Sequence, residues 1–85
     1  MATIAHAVDA FLDDDPIVVY DTMREAANRL VARYVARGKR TGDTAPEIVA
    51  IRAIRAQVRA VGTRNLAGIE ALRVEFEHRC EALDA

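Results

Sequence analysis

An all-α fold, a compact bundle of three or four amphipathic helices, follows from three observations on the sequence. Apolar residues recur at steps of three and four, capping and breaking residues separate those stretches, and a period-2 strand pattern is missing. The 85 residues fit a single domain, 1–85, with one modest core that hides roughly 60–65% of the unfolded surface.

The first predicted helix is capped by Thr3 and carries Ile4, Val8, Phe11 and Leu12 on one face. It stops in Asp13-Asp14-Asp15-Pro16. These carboxylates favour the positive end of a following helix, and proline is tolerated in a first turn, so the same residues start the second helix. That helix runs to about Arg37 with the stripe Tyr20, Met23, Ala27, Leu30 and Tyr34, widened by Val31 and Val35. Gly38 falls where a left-handed cap would end it. Residues 17–20 are β-branched enough for a strand, with the helix then starting at Asp21 or Thr22 and Glu25 closing a capping box. A lone strand would have no partner, so helix is preferred.

Residues 38–45 form a polar linker, and Thr44 with Glu47 makes a capping-box signature with Pro46 in the first turn. The third helix buries Ile48, Ile51, Ile54, Val58 and Val61 and ends at Gly62. Thr63 or Asn65 caps the fourth, whose stripe is Leu66, Ile69, Leu72, Phe76, Cys80 and Leu83. Gly62 and Gly68 each cost only about 1 kcal/mol inside a helix, so one long bent rod in place of the last two helices stays open.

The net charge of −1 conceals a pattern. Residues 1–21 hold five Asp and no base, residues 22–64 hold ten bases against Glu25, Asp43 and Glu47, and residues 65–85 hold five acids against Arg73 and Arg79. The order is acidic, basic, acidic. The single cysteine, Cys80, excludes an intramolecular disulfide and leaves a zinc knuckle without ligands, which points to a reducing, cytoplasmic setting. Apolar runs such as residues 17–20 fall far short of the ~20 residues that span a bilayer. The first residues lack the basic start of a secretory signal.

Catalytic chemistry finds no support. His6 and His78 are far apart. Glu75 and His78 give one Glu-x-x-His spacing where a carboxylate-bridged metal site in a bundle needs two, plus two further carboxylates. There is no glycine-rich phosphate loop and no nucleophile elbow, and Cys80 lies on the apolar stripe as a small hydrophobe. No enzyme activity, metal or cofactor is expected.

The most informative feature is a pair of arginine ridges, Arg29, Arg33 and Arg37 on one helix and Arg52, Arg55 and Arg59 on the next. Such ridges are either solvated faces neutralised by the chain's own acids, for example by Glu25 four residues before Arg29, or a surface for a phosphate backbone or an acidic protein. A helix-turn-helix around Val61-Gly62-Thr63 fits poorly, because Gln57 and Gly68 fall where that motif packs apolar residues. No aromatic residue interleaves the arginines, and both flanks are acidic, so a protein partner ranks above nucleic acid.

The run VYDTMREAANRLVARYVARGK, residues 19–39, resembles small helical antitoxins paired with kinase-type toxins, the epsilon and zeta class. The resemblance implies a three-helix bundle that blocks its toxin's nucleotide site as a stoichiometric inhibitor; it assigns no individual residue. The expected function is therefore protein binding, with an antitoxin and its cognate toxin as the concrete version and the six ridge arginines as the contact residues. A small DNA-binding regulator is the alternative, followed by a self-associating structural subunit or other homo-oligomer.

Overall fold

The computed structural model describes residues 16–85, and the expected leading helix with its break at residues 13–15 lies outside the described residues. Three helices follow: α1 (Pro16–Thr41), α2 (Ala45–Ala60) and α3 (Leu66–Asp84). The all-α class holds. Residues 17–20 are helical, and no strand occurs among the described residues.

The end of α1 corrects the sequence reading. The helix passes through Gly38 and stops four residues later, where Gly42 takes φ 78° and donates its N–H to the Gly38 carbonyl at 2.9 Å. A left-handed backbone of this kind is free of Cβ strain for glycine and strained for L side chains, so Gly42 is the terminator. Gly38 serves a different purpose. It is buried, and a Cβ there would sit 3.3 Å from Thr44 Cγ2 and 3.7 Å from Glu47 Cγ, so its missing side chain lets the first turn of α2 close onto α1.

The expected capping box is also replaced. Thr44 occupies the N-cap position of α2 but makes no side-chain capping bond. Asp43 Oδ1 accepts from the Ala45 N–H at 3.2 Å instead. Glu47, meant to reach back to Thr44, is 7% exposed and packs over Gly38. One of its oxygens lies 3.6 Å from Arg37 Nε, and the other finds no hydrogen-bond partner among the described residues. α2 and α3 are separate helices: the chain turns extended at Val61, and Asn65 Oδ1 caps α3 by accepting the Gly68 N–H at 3.0 Å.

The core lies around α1. Met23, Ala26, Ala27 and Leu30 come from α1, Ile69, Phe76 and Cys80 from α3, and Ile54 alone from α2. Both outer helices pack on α1, and Gln57 Nε2 of α2 donates to Glu75 Oε2 of α3 at 3.2 Å. The bundle is flattened, 53 × 26 × 14 Å. Because each outer helix packs mainly on α1, the expected stripes are not uniformly buried: Leu66, Leu72 and Leu83 are half-buried, and Ile48 is 43% exposed. A helix with one principal neighbour hides only part of a stripe that a central helix would hide fully. Among the described residues no helix is long and apolar enough to cross a membrane.

Candidate partner-binding surface

The two arginine ridges have different fates. Arg33 of α1 grips Asp84 of α3 in a fork, Nε to Oδ1 at 2.9 Å and Nη2 to Oδ2 at 3.0 Å, and donates to the Arg29 carbonyl as well. Arg29 lies 3.6 Å from Glu77, and Arg37 faces Glu47 across the α1–α2 junction. The first ridge is thus directed at the protein's own carboxylates. Arg29 takes Glu77 from α3 rather than Glu25 from its own helix. Arg79 reinforces the same interface from α3, with its guanidinium 5.7 Å above the Tyr34 ring and a 3.1 Å bond to the Tyr34 hydroxyl.

Arg52, Arg55 and Arg59 on α2 are exposed, and among the described residues none makes an ion pair. Gln57, half a helical turn away from Arg55 and Arg59, faces α3. The arginines therefore lie on the opposite, open side of the α1–α2 seam. A groove follows that seam. Its middle, about 140 Å³, is floored by Ala27, Val31, Ile54 and Val58 and edged by Arg24, Asn28, Arg55 and Arg59. Toward the C-terminus of α1 it becomes apolar, about 280 Å³ between Tyr34, Val35, Ile48 and Ile51, with Lys39 at its rim. Toward the N-terminus it meets Ile17, Tyr20, Asp21, Thr63 and Arg64. Helical spacing puts residues 17, 21, 24, 28, 31, 35 and 39 along one side of α1, so the three stretches succeed one another.

Sequence reasoning missed Arg24, Asn28 and Arg64. Arg24 stands three residues before Ala27 on the edge of the core stripe, and the short α1–α2 turn forces an antiparallel pairing that brings it to Arg59. Both signals were present. Arg52 lies on the outer face and does not line the groove. His78 is exposed, Glu75 accepts from Gln57, and Cys80 is packed in the core at 7% exposure.

Charge pairing also sets proton affinities. The Arg33 hydrogen bond holds the Asp84 carboxyl below its usual range, and the Asp84 bond in turn raises the Arg33 guanidinium. The Arg73 hydrogen bond depresses Glu70 in the same way, and Arg73 also reaches Glu77 at 2.7 Å. A carboxyl depressed in the folded chain stabilises it above the unfolded pKa, about 4, and that contribution is lost as pH falls through the folded value. The urea midpoint is therefore expected to fall between pH 5 and pH 3, and Asp84→Asn to make the fall shallower. Equal slopes for both chains would refute the linkage. These groups are exposed, and solvent screening keeps the effect small.

Comparison of the chain with protein-family models, with curated proteins and with solved structures finds no match.

Proposed function

We propose that this protein is a non-catalytic binding module that receives an acidic, amphipathic element of another protein in the α1–α2 groove. The carrying observation is the division of labour between the two ridges: Arg29, Arg33 and Arg37 face internal carboxylates, while Arg55 and Arg59, with Arg24, border an open groove with an apolar floor. Ion pairs at the surface, like those of the first ridge, add little net stability, whereas unpaired arginines beside apolar surface are the composition of an interface hot spot. Apolar residues left open nearby, Val35 at 42% and Ile48 at 43% exposure, extend the contact beyond charge. An antitoxin that inhibits a cognate toxin is the concrete form of this reading. Such a protein needs shape and charge complementarity and no reactive group.

The same cations would also attract a nucleic-acid backbone, so the deciding measurement is a salt titration of DNA affinity on the unmodified protein. Weak binding is expected at physiological salt, in the non-specific range of about 10⁻⁴–10⁻⁶ M. A dissociation constant near 10⁻⁸ M with a steep salt slope would replace the protein partner by DNA.

A further inference from the structure

The open side of the α1–α2 seam is graded along its length. Its middle is rimmed by Arg24 and Asn28 on the α1 wall and by Arg55 and Arg59 on the α2 wall. Toward the C-terminus of α1 the walls turn apolar, with Val35 and Ile48 bordering a hollow shared with Tyr34 and Ile51. The two walls repeat one interval. About 10 Å, two helical turns, separates Asn28 from Val35 on α1 and Arg55 from Ile48 on α2. Arg24 and Arg59 stand one turn further back, about 16 Å from the same apolar pair. The cations therefore form one band and the exposed Val35 and Ile48 a second, two to three turns away. Arg24, Arg55 and Arg59 make no ion pair among the described residues. The apolar end is less welcoming to an acid: the buried Glu47 lines it, and the one cation lining it, Lys39, sits at the rim. A carboxylate placed there would lose water to apolar walls and meet a like charge.

We propose, on the footing that the groove seats an acidic partner, that the element it receives is an α-helix with two carboxylates one turn apart and a large apolar anchor two further turns along. A helix suits the groove because it repeats side chains on one face every turn, the step at which the walls repeat theirs. Its carboxylates pair with Arg24, Arg55 and Arg59, and its anchor, a leucine or phenylalanine, fills the hollow between Val35 and Ile48. The opposite end of the groove, at Ile17 and Tyr20, is a poorer seat, since its far wall is Thr63 and Arg64, beyond the end of α2. α2, whose one buried apolar residue is Ile54, thereby gains a second helix to pack on, as α1 already has.

The test adds designed helical peptides to the isotopically labelled chain and follows amide and methyl resonances. The first peptide carries two glutamates four residues apart and a phenylalanine eleven residues after the first glutamate. A second, of identical composition, moves the phenylalanine one turn closer, and a third replaces both glutamates by glutamine. The first is expected to shift the Val35 and Ile48 methyls together with the Arg24 and Arg55 amides, and to bind at least about ten-fold more tightly than either of the others. Ile48→Ala and Arg55→Gln/Arg59→Gln are each expected to weaken it. Equal affinity for the first two peptides, or shifts at Ile17 and Tyr20 in place of Val35 and Ile48, would overturn the spacing and leave an acidic partner standing. Equal affinity for the glutamine peptide, or no shift in the groove with any of the three, would remove the acidic partner as well.

Discussion

Leu30→Ala is expected to lower the free energy of unfolding by about 2–5 kcal/mol, a shift of the urea midpoint on the order of 1–3 M. Leu30 is 0% exposed on the one helix against which both others pack. Truncation there leaves a cavity that neither interface fills. Domains hold only about 0.05–0.15 kcal/mol per residue, so the loss takes a large share of the total and the variant is expected to be partly unfolded at 37 °C. Val35→Ala, on the same helix but 42% exposed, is expected to stay within about 0.5 kcal/mol. Comparable losses at both positions would mean that α1 is not the centre of the core.

The second large effect belongs to recognition. Replacing Arg52, Arg55 and Arg59 together by Gln is expected to weaken the protein complex by about 30-fold or more, since one hot-spot arginine costs about 2 kcal/mol. Thermal stability should barely move, because among the described residues these side chains make no ion pair. The matching triple change at Arg29, Arg33 and Arg37 should do the reverse, reducing stability slightly through the lost contacts to Glu77, Asp84 and Glu47 and sparing the complex. Isothermal titration and thermal melts on both triples read the two effects separately. Arg24→Gln, at the opposite wall of the groove, should weaken the complex alongside the α2 set. A second-ridge triple that melts early yet binds normally would invert the assignment.

Much of this was legible in the sequence. Periodicity located all three described helices, and of the two cap candidates ahead of the Leu66 stripe, Thr63 and Asn65, it is Asn65 that caps. Breaks were harder to place, because Gly38 and Gly42 carry the same local signal. Only the docking of Thr44 and Glu47 against Gly38 distinguishes the glycine that admits a neighbour from the one that turns the chain. The capping box failed for a related reason: tertiary packing draws Glu47 inward to Arg37, and Asp43 is left to satisfy the Ala45 N–H. For the site, spacing found both ridges but could not rank them. What separates Arg33 from Arg55 is Asp84, 51 residues away, and no local pattern reports a partner at that range.

The uneven sharing of the core has a mechanical consequence. α2 is fastened to the rest by one fully buried apolar side chain, Ile54, by the Gln57–Glu75 hydrogen bond, and by a buried carboxylate, Glu47, one oxygen of which has no hydrogen-bond partner among the described residues. α3 is riveted through Ile69, Phe76 and Cys80 and by the Arg33–Asp84 fork and the Arg79–Tyr34 contact. Local opening costs least where buried contacts are fewest. Local opening of α2 is therefore expected at a lower free energy than opening of α3, with the α2 amides exchanging with solvent ahead of those of α3.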